Sequence, residues 1–396
     1  MVKKNNTKII KEANIYLVEE VVRSFSKVTI EEIMHSAHLS RPTVLGILDE
    51  LQERKIVCKD GFANSSGGRQ AVLYTLDTTE HFSIGVDFEY PSVHLVVVNL
   101  KGIIVHEASW IHEKNTTQDQ VVEMLLAEIK KALEILELQP ENVVGIGIGV
   151  PGTIDKSQNM AEIVSRFPQL NFLRLKDRIE KLYAIPVYVR NDVYLMAYRS
   201  GIPKDRQLIY IGYRTGIGAA VVKNGRHEEG EYGNFGYIGH TTVDIDGEVC
   251  ECGRQGCLET IASKAAVVKH YMQEKDLEEQ ITFDEILQRA EQGDDVAVRI
   301  LKQAARYLGV AVANMIKTLD ISTVVIDELN CMEDHVFFRE MEQSTQEYCK
   351  SFALKDVEVR NLYPDVVNPA YGAAVFGLNN YIKKPDLRLS VSKTES

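Results

Sequence analysis

No stretch of the chain approaches the roughly 20 consecutive apolar residues that a membrane span requires, so a bilayer-spanning helix is not expected. The start, Met1-Val2-Lys3-Lys4-Asn5-Asn6, carries basic residues without the apolar run of a secretory signal, and a cytoplasmic chain is the expectation. Cysteine is scarce, six in 396 residues, and three of the six crowd between Cys250 and Cys257. That count and clustering exclude a secreted disulfide framework and fit a reduced compartment with a metal-binding loop. Positive charge is short as well: 45 Lys and Arg against 57 Asp and Glu leave a net charge of −12, which argues against a protein coated with nucleic acid. No internal repeat recurs at solenoid periods. What is present is 45% hydrophobic and 26% charged, an ordinary globular balance with enough apolar material for two or three cores.

The charge is unevenly spread. Residues 1–78 hold 11 Lys and Arg against 10 Asp and Glu, so the remainder carries −13, and only the first segment can meet a polyanion without strong repulsion. That segment reads as three helices and a hairpin. Apolar residues recur at helical spacing from Ile9 to Ser24, Thr29-Ile30-Glu31-Glu32 opens a second helix, and Ser40 is a good N-cap for a third that runs to about Arg54. Two short strands, residues 55–59 and 71–74, flank a polar loop rich in Gly and Ser. Helix, short turn, capped helix and hairpin form a winged helix-turn-helix pattern.

From His81 the pattern changes to strands alternating with helices, which predicts an α/β architecture with two lobes. Strands are expected at residues 83–87, 94–99, 103–108, 143–150, 187–190, 208–213, 219–222 and 323–326. Helices are expected at 118–138, at 295–319, and near Asp192, Thr260, Phe283 and Gly372. Residues 385–396 are polar and read as a flexible tail.

Three motifs carry chemistry. His240, Cys250, Cys252 and Cys257 supply one imidazole and three thiolates, which satisfy a tetrahedral Zn2+ completely and leave no position for a catalytic water. Such a metal is structural. Gly145-Ile146-Gly147-Ile148-Gly149-Val150-Pro151-Gly152-Thr153 is a strand entering a glycine turn, readable as a nucleotide or sugar loop or, equally, as close strand packing. Arg190-Asn191-Asp192 sits where a strand meets a helix. An amide and a carboxylate there can chelate polyol hydroxyls, and a carboxylate can act as general base, or the pair is a plain helix cap.

Together these motifs resemble the ROK family (repressors, open reading frames and sugar kinases) of the actin and hexokinase superfamily, over about His81 to Tyr381. The matching stretches are Gly145 to Gly152, Asn191-Asp192, Gly212 to Gly218, Gly230 to His240, and Cys250 to Glu259. Residues 1–78 look like the winged helix of the family's repressors. The resemblance implies an α/β fold with an N-terminal winged helix-turn-helix (1–78) and a two-lobed, ribonuclease H-like ROK domain (79–384) whose C-terminal helix returns to the first lobe. Family kinases bind ATP phosphates on Asp-x-Gly-Gly-Thr-Lys; here that place reads Asp87-Phe88-Glu89-Tyr90-Pro91. The second phosphate loop survives in part as Arg214-Thr215-Gly216-Ile217-Gly218, and the glycine pair that accommodates adenosine appears as Asp327-Glu328. A regulator without kinase activity is therefore expected, although Asp192 matches the family's general base. Gly152, Thr153, Asn191, Asp192, Tyr237, His240 and Glu259 are the implied sugar-binding residues, with Tyr237 standing where the family has Glu.

For DNA, Ser40, Arg41, Pro42 and Thr43 open the recognition helix. Arg41 is suited to a guanine edge, Thr43 to a thymine methyl or a phosphate, and Arg54, Lys55 and Lys59 to the backbone. The wing carries Ser65-Ser66-Gly67-Gly68-Arg69, resembling a family motif whose Arg enters a narrow minor groove. A weakly basic head implies two heads per palindromic operator, hence a homodimer or a dimer of dimers. The leading expectation is a zinc-containing regulator, most simply a repressor, that answers to a sugar or sugar phosphate. The alternatives are an ATP-dependent sugar kinase with a DNA-binding head, and a regulator controlled by a protein partner.

Overall fold

The computed structural model describes residues 2–64, 70–89, 91–113, 115–155, 157–164, 167–198, 207–223, 226–232, 235–350, 356–362 and 370–382. Three expectations, the wing motif 65–69 with Arg69, Tyr90, and the tail 385–396, lie outside the described residues. No helix among the described residues is long and apolar enough to cross a membrane.

The N-terminal part builds a winged helix-turn-helix from helices Val2–Ser24, Ile30–Ala37 and Arg41–Glu53 and from strands Val57–Phe62 and Val72–Leu76, with Val28–Thr29 pairing antiparallel to the last strand. Thr29 starts the second helix by a reciprocal cap: the Glu32 N–H donates to its hydroxyl at 3.3 Å and its own N–H donates to Glu32 Oε2 at 2.7 Å. His38, at φ 54°, ends that helix in the left-handed conformation and turns the chain into the third helix. Ser40 does occupy the N-cap in extended backbone, but its hydroxyl pairs with Thr43 Oγ1 at 2.8 Å and caps no backbone N–H.

Each of the two lobes is a five-stranded sheet. In the first the order is Val187–Asn191, Val143–Val150, Phe82–Glu89, Ser92–Asn99, Ile104–Ile111. In the second it is Arg226–His227, Ile217–Lys223, Leu208–Tyr213, Thr323–Asp327, Glu358–Leu362. Both sheets start with an antiparallel meander of three strands and add two parallel strands beside the first one, so the two lobes share one topology. The first lobe packs its sheet on helices Gln118–Ile135 and Leu175–Tyr183; the second packs on the 25-residue helix Asp295–Leu319 and on Val336–Lys350.

Helix Ala370–Tyr381 lies across the first sheet, and the glycine-rich strand exists for it. A Cβ on Gly147 would stand 2.0 Å from the Ala373 carbonyl, and one on Gly85 would stand 2.0 Å from the Ala370 carbonyl. Close packing is thus what Gly145 and Gly147 provide, while Gly152, at φ 137°, makes the turn at the strand's end. Gly147→Ala should lower stability by about 1–3 kcal/mol, the usual penalty of overpacking a filled core. Gly46→Ala, with open space around the site, should raise it by about 0.5–1 kcal/mol. Thermal denaturation of the two variants checks the contrast, and a Gly147→Ala variant as stable as wild type would remove this reading.

The same helix joins the head to the lobe. Val18, Val22, Ile33, Leu48 and Tyr74 of the head share one buried cluster with Val96, Val98 and Val144 of the sheet and Ala374 and Leu378 of the helix. Arg23 donates to Asn379 Oδ1 at 3.2 Å at the edge of that contact.

Candidate ligand cleft, metal centre and DNA-binding face

A cleft of about 110 Å³ opens between the lobes, lined by Glu89, Pro151, Gly152 and Asp192 from the first and by Arg214, Thr215, Gly216, His240, Glu251 and Glu259 from the second. Four of the seven expected sugar-binding residues, Gly152, Asp192, His240 and Glu259, therefore meet on one surface. The other three border it with their polar groups engaged. Asn191 caps the helix Asp192–Met196 by accepting the Tyr194 N–H at 3.1 Å, as an ordinary cap would, and points its amide at the Gly152 carbonyl at 3.4 Å. Thr153 Oγ1 accepts the Ile163 N–H at 3.1 Å. Tyr237, from the second lobe, donates to the Gly152 carbonyl at 2.8 Å, so its phenol bridges the cleft.

Behind the cleft lies a group that sequence reasoning passed over. Arg214 is buried, at 3% exposure, and its guanidinium is surrounded by carboxylates from both lobes. Nη1 donates to Asp192 Oδ2 at 2.9 Å and Asp87 Oδ1 at 3.1 Å; Nη2 donates to Asp87 Oδ2 and Glu89 Oε2, both at 2.6 Å. Nε faces Glu328 Oε2 at 3.4 Å, an ion pair too poorly aligned for a hydrogen bond. Four acids around one base leave the cluster acid-rich. Burial, with Asp87 and Glu89 nearby, raises the Asp192 carboxyl to about 6 despite Arg214, and burial raises Glu328 to about 7. Glu89, against its own desolvation, is held below the usual carboxylate range by Arg214 and by the Thr215 hydroxyl at 3.0 Å. The signal that could have found the cluster was complementarity: acids at Glu89 and Glu328, in two of the turns expected to meet a nucleotide, accompany a base, Arg214, at the head of the Gly216-Ile217-Gly218 turn.

Beside the cleft, His240, Cys250, Cys252 and Cys257 place their ligand atoms within 4.8 Å of one another. His240 Nδ1 stands 3.7 Å from Cys250 Sγ, and Cys252 Sγ stands 3.6 Å from Cys257 Sγ. Ligands about 2.0–2.3 Å from a tetrahedral zinc lie roughly 3.5–3.8 Å apart, so the donor set and spacing fit that ion. The loop closes because Gly253 and Gly256 adopt φ of 83° and 73°; a Cβ on Gly256 would fall on the Asp244 carbonyl. Glu259 follows directly, accepting the Ile217 N–H at 2.9 Å with Oε1 while Oε2 lies 3.9 Å from His240 Nδ1.

On the head, Ser40, Arg41 and Pro42 are exposed and Thr43 half-buried at the start of helix Arg41–Glu53. Arg41 pairs with Glu31 at 2.5 Å and Lys55 with Glu80 at 2.6 Å, both as exposed ion pairs; Arg54 and Lys59 are exposed nearby.

Known proteins with related sequences share this plan. A putative xylose repressor of Caldicellulosiruptor sp. (strain Rt8B.4) is 28% identical over 353 residues, spanning 85% of this chain and 88% of its own. The DNA-binding transcriptional dual regulator NagC of Escherichia coli (strain K12) is 25% identical over 332 residues, 81% of either chain. A solved ROK family transcriptional regulator, a homologue of the E. coli MLC protein, superposes with a TM-score of 0.78 at 23% identity over 94% of this chain and 97% of that one. The ROK family pattern itself matches residues 83–378, and the chain belongs to the ROK family.

Proposed function

We propose that this chain is a sugar-responsive DNA-binding transcriptional regulator, most simply a repressor of genes for carbohydrate uptake or breakdown, and that it is not an enzyme. Residues 1–78 are its DNA-binding head and residues 79–384 its sensor. The observation that carries the reading against a kinase is Arg214. Its guanidinium fills the turn at which a nucleotide phosphate would be held, and it is ringed by Asp87, Glu89, Asp192 and Glu328. A triphosphate entering there would meet carboxylates rather than free N–H donors. Asp192, tied to Arg214, has no phosphoryl donor to serve.

The effector is a carbohydrate held between the lobes by Asp192, His240 and Glu259, with Gly152, Thr153, Asn191 and Tyr237 shaping the edge. The relative named as a putative xylose repressor supports a sugar-linked role. A structural Zn2+ on His240, Cys250, Cys252 and Cys257 supplies no open position; it fixes the loop. Nδ1 of His240 faces the sulfurs, which leaves Nε2 for the ligand. Helix Ala370–Tyr381 offers the route to the head: Gly372 packs on the Leu195 carbonyl of the short helix that opens with Asp192, and Asn379 bonds Arg23.

On DNA, a homodimer or dimer of dimers reads a palindrome with Arg41 and Thr43 in the major groove. Ser40 and Pro42 lie at the helix entry, Arg54, Lys55 and Lys59 on the backbone, and Arg69 in the flanking minor groove. Releasing Arg41 from Glu31 costs at most about 1 kcal/mol, the worth of an exposed pair, against about 1–3 kcal/mol gained from a bidentate guanine contact. Footprinting on duplexes selected from random DNA tests this. Arg41→Ala is expected to lose about 1–3 kcal/mol per site and relax specificity, whereas Lys55→Ala weakens all sequences alike. Unchanged affinity in Arg41→Ala would remove the docking scheme, and sustained ATP-dependent sugar phosphorylation, abolished by Asp192→Asn, would restore the kinase reading.

A further inference from the structure

The cleft has a sign as well as a shape. Among the described residues its lining includes the carboxylates of Glu89, Asp192, Glu251 and Glu259 and one permanent cation, Arg214. An anionic ligand would need Arg214, and Arg214 is already spoken for: four of its N–H groups donate to Asp87, Glu89 and Asp192, and the fifth faces Glu328. The helices that begin at the cleft, Asp192–Met196 and Glu259–Ala262, are five and four residues long and each opens with an acid, so neither offers backbone donors to a phosphate. Lys264, a second base close enough to feel Glu89 and Glu328, sits over the rings of Tyr213 and Phe283 at 5.9 and 5.8 Å, where burial lowers its pKa.

We infer that the cleft selects uncharged sugars and rejects their phosphate esters, the carboxylates accepting hydroxyl protons while the sealed Arg214 leaves a phosphate without a counter-charge. This rests on the carbohydrate reading above and narrows its effector to the unphosphorylated class. Carboxylates suit neutral polyols because each oxygen accepts from a hydroxyl and none needs to donate. A phosphate dianion in the same low-dielectric space meets like charge on both walls. The elevated Asp192 carboxyl accords with this, burial first and the neighbouring Asp87 and Glu89 next disfavouring negative charge there.

Calorimetry on the full chain with xylose, glucose and N-acetylglucosamine, each against its phosphate ester, is the test. At least one neutral sugar is expected to bind tenfold or more tightly than its ester, and added salt is expected to shrink that ratio by screening the repulsion. Glu89→Gln, which removes one negative charge from the wall, is expected to narrow the ratio severalfold; circular dichroism reports whether the variant is folded. An ester that binds as well as or better than its parent sugar would overturn this inference and leave the carbohydrate reading standing. Binding of neither class would overturn the carbohydrate reading itself, and the inference with it.

Discussion

Arg214→Ala should lower the thermal transition of the chain by roughly 6–20 °C at pH 8. Removing one partner of a buried ion pair costs about 3–5 kcal/mol because the remaining charge is left uncompensated, and each kcal/mol shifts the midpoint of a domain of 150–250 residues by about 2–4 °C. Here four carboxylates lose their common counter-ion. The loss depends on pH in a definite direction. Asp192 at about 6 and Glu328 at about 7 lie above their ordinary values of 3.8 and 4.5, so the folded protein binds more protons than the unfolded chain across that window. Their contribution to stability therefore falls as pH rises toward 7. Without Arg214 both groups move further up, and the gap between variant and wild type should widen from pH 5.5 to pH 8. Differential scanning fluorimetry at the two pH values reads it; a gap that is absent, or wider at the lower pH, would contradict the clamp.

Zinc should be present at one ion per chain in protein purified without chelators, and Cys257→Ser should lose it. Structural zinc in small sites contributes apparent binding free energies of about 10–16 kcal/mol, so the loop between His240 and Cys257 is expected to unfold locally when one thiolate is missing. Cys257 is fully buried and its loop runs directly into Glu259, so the damage reaches the cleft wall. Elemental analysis with thermal denaturation measures both effects. Metal-free protein with an intact transition would remove zinc from the account.

Much of this architecture was legible in the residues. Strand Val143–Val150, strand Leu208–Tyr213 and helix Asp295–Leu319 fall where the sequence pattern puts them, because each is long, strongly patterned and bounded by turn or cap residues. Strand Glu358–Leu362 escaped notice because it is an edge strand with one buried side chain, Val359. Helix Leu175–Tyr183 escaped because only Leu175 and Ile179 are buried on it. The helix meant to end at Leu138 stops at Ile135, and Glu137, at φ 54°, makes the turn that apolar spacing cannot reveal. The four zinc-type ligands are near neighbours in sequence, so spacing alone brings them together. Arg214, Asp87, Asp192 and Glu328 come from four separate segments across two lobes, and no local pattern announces such a cluster. Likewise Tyr237 reads as a ligand contact from its position, while its bond to the Gly152 carbonyl depends on how the lobes close.

The central claim is that a ligand in the cleft changes what the head does on DNA. Helix Ala370–Tyr381 touches the helix that carries Asp192 and the head helix that carries Arg23, so a ligand that favours one lobe angle is expected to alter the head's seating. The direct measurement is an operator titration with and without a saturating neutral sugar, on wild type and Asp192→Ala. A coupling of about 1–3 kcal/mol, a change in operator affinity of roughly 5- to 150-fold, is expected in the wild type and its loss in the variant. Operator affinity unmoved by every sugar that binds, or moved equally in both proteins, would contradict the account.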